Sequence, residues 1–286
     1  MNGLRIVAGY ALREALRRRV FVVVIVLTAA YLALYALGVD RAFQETEGFR
    51  RQAAETGVDA GTLTGATLFG LSMFATLFLG VILAVFLTLG VVRGDADRGL
   101  LQPLVVRPLG RPTLLLARFA GGAAASAVYV AIVYAVAMVI TGWIGGWWPD
   151  RIVTPALQLA GAVAIVTAVS LLGSVFLSST ANGIAVFMIF GAGLTAGLLG
   201  QVGEAIGSGT LENVSRVATW VLPFEALYQD ALSAITADTG GLTKLAIDLG
   251  PFCGAHSAGP GLWAWAGAYT AIVGAAALYG FSRKDL

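Results

Sequence analysis

The sequence predicts an all-α integral membrane protein with six transmembrane helices, an amphipathic helix before the first and short outer helices before the last. Three observations predict it. Six apolar runs reach the roughly 20 residues needed to cross a hydrocarbon core about 30 Å thick. The composition is 58% hydrophobic and 12% charged, with a mean hydropathy of +0.85. A soluble domain carries about a quarter charged residues, so the deficit is missing water-facing surface. Finally, the runs lack the charged outer face that a soluble helical core requires; residues 119–148 carry no charge at all. Lipid cannot hydrogen-bond a backbone, so each run must be a helix.

Residues 1–19 repeat apolar side chains at three- and four-residue steps (Leu4, Val7, Tyr10, Ala11, Ala15, Leu16), with Arg5, Arg13 and Arg17 elsewhere around the helix. Such a helix lies in the interface with its arginines on headgroups. The transmembrane domain, 20–286, follows, with spans predicted at 20–39, 68–92, 114–140, 156–177, 183–200 and 262–281. Arg17, Arg18 and Arg19 ahead of the first run, and the small-residue pattern Ala36-Leu37-Gly38 after it, resemble a secretory signal. The run exceeds the 7–15 residues of a signal core, which predicts a retained span.

The 40–67 segment reads as a polar outer loop with helical character over 42–55. Trp143, Trp147 and Trp148, and later Trp263 and Trp265, stand where indoles mark the water–lipid boundary. Residues 201–261 are long for a loop and half apolar around Trp220–Phe224, yet Glu225 and Asp230 make the segment a poor span. Short helices dipping into the outer leaflet and covering the bundle fit it better. Gly193-x-x-x-Gly197 allows close helix approach within one bundle.

With the N-terminus in the cytoplasm, the inner segments 1–19, 93–118, 178–182 and 282–286 hold 12 of the 18 basic residues, which sets this orientation by the positive-inside rule. Both termini are then cytoplasmic. No nucleotide-phosphate loop, zinc-protease motif or nucleophile elbow is present. Cys253 and His256 are the only Cys and His, too few for a four-coordinate metal. The span centres lack the ionisable residues of ion-coupled transporters and proton relays. No enzyme activity, cofactor or nucleic-acid partner is expected of the chain itself, beyond its contact with the lipid bilayer.

The inner loop 93–113 is an interrupted amphipathic element: acids at its start (Asp95, Asp97), Gly99, Leu100 and Leu101 in its middle, Arg107 and Arg111 toward its end. That order suits a short helix dipole, and Pro103 and Pro108 limit its length. The series Asp95/Asp97, Gly99-Leu100-Leu101, Pro103-Leu104, Arg107/Arg111 and Arg118 resembles the permease subunits of the type-two exporter class of ABC transporters. So do Leu222-Pro223-Phe224 and the tail Phe281-Ser-Arg-Lys-Asp-Leu286. The chain departs from that pattern in Asp for the usual Glu, Leu100 for the usual Thr, and the extra Pro108.

The resemblance implies two permease copies, or two related chains, above two ATP-binding subunits that carry ATP and magnesium. It implies ATPase coupling through 93–113 (Asp95, Asp97, Gly99, Leu100, Leu101, Pro103, Arg107, Arg111), with a smaller contact at the turn containing Ser179 and Asn182. Residues 1–19, with Arg5, Arg13 and Arg17, would form an elbow helix gripping the ATPase. The substrate path would run between the second and fifth spans past Thr76, Thr88 and Thr195. A lining apolar but for these hydroxyls suits a hydrophobic or amphipathic cargo. Together with the Ala/Gly/Arg-rich composition, the resemblance implies a multi-pass protein of a bacterial inner or plasma membrane. The competing reading is a non-transporting six-span scaffold whose working surface is 201–261.

Overall fold

A computed structural model of the chain describes residues 19–55, 57–89, 111–248, 259 and 261–283. Among the described residues there are nine helices and no strand: α1 (Arg19–Glu55), α2 (Ala60–Thr88), α3 (Arg111–Gly145), α4 (Val153–Phe176), α5 (Ser179–Ile206), α6 (Gly209–Val221), α7 (Pro223–Ala234), α8 (Gly241–Asp248) and α9 (Gly261–Ser282). Six of them, α1–α5 and α9, are long and apolar enough to cross a membrane.

Several helices outrun the apolar runs that predict them. α1 continues to Glu55 as one 37-residue helix, about 55 Å long at 1.5 Å per residue. Its polar half is rich in Ala, Arg, Gln and Glu, all good helix formers. That half is also held from the side: Thr46 shares a hydrogen bond with Thr64 of α2 at 2.9 Å, and a Cβ on Gly145 would strike the Phe43 ring. α2 begins at Ala60 rather than Leu68 because Asp59 caps it. The Asp59 carboxylate accepts from the Gly61 amide at 3.0 Å and the Thr62 hydroxyl at 2.6 Å, satisfying a donor that the first turn leaves open.

α2 and α4 form the centre. Phe69, Met73, Leu77 and Val81 of α2 and Leu159 and Val163 of α4 are fully buried, with Val130 and Tyr134 of α3 against them. The outer faces of α1, α3 and α5 expose Val22, Val23, Leu34, Val128, Ile132 and Met188, the apolar surface that hydrocarbon contact requires.

Between helices in lipid the hydrophobic effect gives little, so packing and polar contacts hold the bundle, each hydrogen bond contributing about 0.6–2 kcal/mol. α1 is tied to α2 by Tyr31–Ser72 at 2.8 Å, and to α3 by Tyr35–Thr141 at 2.6 Å and by Thr28–Tyr129. Most hydroxyls also bond back to a carbonyl one turn earlier, as Thr28, Thr88, Thr141 and Thr167 do.

One end of the bundle is capped by α6–α8. α6 has no buried residue and lies on the surface. α7 is buried along most of its length, from Pro223 to Leu232, against α4, α5 and α9. It lodges on the Gly193/Gly197 pair of α5: a Cβ at Gly193 would lie 2.5 Å from the Phe224 ring, and one at Gly197 would collide with the Glu225 carboxylate. The small-residue pattern therefore receives a helix of its own chain. Trp265 Nε1 donates to the Trp220 carbonyl at 3.0 Å, Asp59 N–H to Thr243 Oγ1 at 2.9 Å, and Asp238 N–H to Asp150 Oδ2 at 2.8 Å, pinning the cap around its rim. Among the boundary tryptophans, Trp143 and Trp148 are exposed, whereas Trp147 turns inward onto Phe69.

The Thr62 hydroxyl, above all, holds the Asp59 carboxyl below its ordinary range, helped by the Thr62 and Gly61 amides and Arg50 against a smaller desolvation. A lowered carboxylate contributes stability above its unfolded value near 4 and loses it as pH falls through the folded value. Asp59→Ala is expected to cost about 1 kcal/mol at pH 7. Thermal unfolding in detergent should show the deficit at neutral pH and a smaller one at pH 3.

Candidate functional site

Two ends of the bundle offer candidate sites. At the end opposite the cap, α2 stops at Thr88 and α3 starts at Arg111, so the 93–110 part of the predicted coupling loop, with Asp95, Asp97, Gly99, Leu100, Leu101, Pro103 and Arg107, lies outside the described residues. Arg111 opens α3. The elbow segment with Arg5, Arg13 and Arg17, and the Cys253/His256 pair, are likewise outside them.

The α4–α5 turn is described. Ser178 precedes α5 in extended conformation, and Ser179 is exposed on the first turn. Asn182 is fully buried one turn on. Its Nδ2 donates to the Ser170 carbonyl at 2.9 Å, and its Oδ1 occupies the space that a Cβ on Gly173 would take. Ser170 also shares a 2.6 Å hydrogen bond with Thr88, in the last turn of α2. Thr88, Ser170 and Asn182 thus join α2, α4 and α5 at the point where α2 runs out toward residue 93. Sequence reading singled out Thr88 and Asn182 for separate tasks; the structure brings them together through Ser170. No sequence signal marks Ser170 as their intermediary.

The three threonines expected along a path are separated. Thr76 and Thr88 are sealed inside the chain, and Thr195 is exposed on α5, its hydroxyl bonded to the Gly191 carbonyl at 2.8 Å. What α2 does present outward is aromatic. Phe74 and Phe78 are part-exposed with stacked rings 6.4 Å apart. Phe78 continues onto Phe190 of α5 at 6.2 Å and Phe74 onto Tyr228 of α7 at 6.5 Å. A second exposed stripe on α5 carries Ile184, Met188, Thr195 and Val202.

At the capped end, α7 brings two carboxylates inside. Glu225 is 4% and Asp230 9% exposed. Gln158 of α4 donates to the Asp230 carboxylate, and Gln201 of α5 to Gln229 at 3.3 Å. Burial, then the Glu225 charge, raises the Tyr228 phenol above its ordinary value. A cleft of about 510 Å³ opens between α5, α6 and α7, lined by Glu204, Glu212, Arg216, Glu225 and Gln229 among others. The sequence predicts that Glu225 and Asp230 keep this segment from spanning the membrane; both acids are buried on α7, and Gln158 faces Asp230. Among the described residues, no group of three or more His, Cys, Asp or Glu side chains comes together to hold a metal.

The chain matches the family described as ABC-2 family transporter protein over residues 6–286 and belongs to it. It is a transmembrane permease, a component that is not itself catalytic and that in this family normally pairs with an ABC ATP-binding subunit. No curated protein matches it.

Gln158→Ala removes a partner from the buried Asp230 carboxylate and should destabilise by about 1–3 kcal/mol, while Asp230→Asn, which keeps an acceptor for Gln158, should cost less. Thermal unfolding of the two variants in one detergent compares them; equal losses would show that Gln158 does not hold α7 in place.

Proposed function

We propose that this permease is half of the membrane portion of an ATP-driven exporter in a bacterial inner or plasma membrane, with both termini cytoplasmic. It pairs with a second copy or a related chain, above two ATP-binding subunits that hold ATP and magnesium. The 93–113 loop, with acids first and arginines last, is the main contact with the ATPase; the exposed Ser179 is a smaller one, and the 1–19 helix an elbow beside them.

The observation that carries the coupling is the Thr88–Ser170–Asn182 chain. A displacement of the 93–113 loop reaches Thr88 directly, because α2 leads into that loop. From Thr88 it passes to α4 through one hydroxyl pair and to α5 through one carboxamide. Two loops that touch the same motor are thereby bound into one moving unit. Packed helices linked in this way shift together instead of deforming. Closure of the ATPase pair on ATP would rock these helices and open a path along the exposed stripes of α2 and α5. The Phe74/Phe78 stack gives that path an apolar, aromatic wall, suited to a hydrophobic or amphipathic cargo. A bare ion would want rings of carbonyls or charges.

The test is co-expression with ATP-binding cassette subunits, isolation of the complex and measurement of ATPase activity in vesicles. Arg107→Glu or Arg111→Glu should leave membrane insertion intact and lower permease-stimulated ATP hydrolysis by about tenfold or more, the scale of a lost interfacial charge contact. Solute movement or nucleotide hydrolysis by the chain alone, or silence of both reversals, would sink the proposal.

A further inference from the structure

α1 carries two tyrosines one turn apart, Tyr31 and Tyr35, whose rings stack at 6.0 Å and 27°. Each phenol has a partner and a second hydroxyl close by. Tyr31 donates to Ser72 Oγ at 2.8 Å and also lies beside Thr76, the next hydroxyl on that face of α2. Tyr35 shares a 2.6 Å hydrogen bond with Thr141 of α3 and also lies beside Ser72. Thr76 is fully buried, and its hydroxyl closes no hydrogen bond in the present register.

Both second partners lie in the same direction. α2 runs antiparallel to α1, since Thr46 meets Thr64 and Tyr31 meets Ser72. Thr76 therefore lies beyond Ser72 toward the Arg19 end of α1, and Ser72, level with Tyr31, lies that way from Tyr35. A slide of α1 toward that end by about 3 Å, half the rise from residue 72 to residue 76, would pass Tyr31 to Thr76 and Tyr35 to the vacated Ser72. The hydroxyls left behind keep bonds of their own. Thr141 holds the Ala137 carbonyl at 2.9 Å, and Thr28 holds the Val24 carbonyl at 2.7 Å. The part-exposed Tyr129 can follow Thr28 by swinging its ring. Thr46 parts from Thr64 where both are partly open to water, and keeps the Ala42 carbonyl at 2.7 Å.

We propose that α1 is a sliding helix with two hydrogen-bonded registers, the second reached by handing Ser72 from Tyr31 to Tyr35 and engaging Thr76. The stacked rings make the exchange concerted, and packed elements with two discrete arrangements switch between them instead of deforming. α1 is joined directly to residues 1–18, so a pull on that segment acts on this helix. The slide belongs to the chain alone and stands apart from the ATPase contact proposed above.

The full chain in lipid nanodiscs, without an ATPase, reports the register as a distance between two nitroxide labels. One sits on Glu45→Cys, exposed toward the capped end of α1, the other on Ala181→Cys, exposed at the opposite end on α5, in a Cys253→Ser background. Thr141→Val withdraws the present partner of Tyr35. It should raise the population whose distance is shorter by about 3 Å by about threefold or more, the effect of one hydrogen bond between membrane helices. Adding Thr76→Val withdraws a partner that only the second register uses and should restore the longer distance. Thr76→Val alone should leave the thermal midpoint at or above that of wild type. A distance that Thr141→Val leaves unchanged, or a shorter distance that survives Thr76→Val, would overturn the proposal. So would a lower midpoint for Thr76→Val, which would show that its hydroxyl is already engaged in the present register.

Discussion

Hydrocarbon offers a polypeptide no hydrogen-bond partner, and the bundle is organised largely around satisfying that condition internally. The backbone meets it by being helical across every span. Many side chains meet it by pairing in place, Tyr31 with Ser72, Tyr35 with Thr141, Thr88 with Ser170 and Asn182 with the Ser170 carbonyl, whereas the Ser126 and Tyr134 hydroxyls are buried without a partner. These contacts are short, lie between different helices and are distributed from one end of the bundle to the other. They also set register, because a helix that slid by one turn would break each of these interhelical pairs.

The same condition explains α7. A helix with two buried acids can pack against a membrane bundle only where polar groups meet it, and Gln158 of α4 donates to the Asp230 carboxylate while Gln201 of α5 donates to Gln229 on α7 itself. Small residues on α5 then let the helix approach. The cap is joined to the spans by a polar core and is held at its rim by Trp265, Asp59 and Asp150. In a permease this makes the cap part of the same body as the spans α4 and α5.

The spans were legible because bilayer thickness fixes the length of an apolar run, and composition alone reveals it. Helix ends were less so. Lipid dictates where apolar residues must be, whereas the end of a helix depends on caps and neighbours, so α1 runs past residue 39 to Glu55 and α2 starts at the Asp59 cap. The α7 segment was legible as a covering helix too acidic to span, but not the burial of its acids, because the Gln158 that faces Asp230 lies on a different helix, 72 residues away. At the candidate site, Thr88 and Asn182 could be picked out singly, but a hydrogen-bonded relay is a property of three helices at once, and no local pattern encodes Ser170 as its middle member. The coupling role expected of 93–113 comes from its charge order and from the family resemblance, and residues 93–110 lie outside the described residues.

The length of α1 has a mechanical consequence. An uninterrupted rod of about 55 Å is nearly twice the thickness of the hydrocarbon it crosses. Tilting it by about 10° about its N-terminal end carries the far end sideways by about 10 Å. Because that far end is fastened to α2 through Thr46 and Thr64, a modest rotation at one membrane face becomes a large excursion at the other.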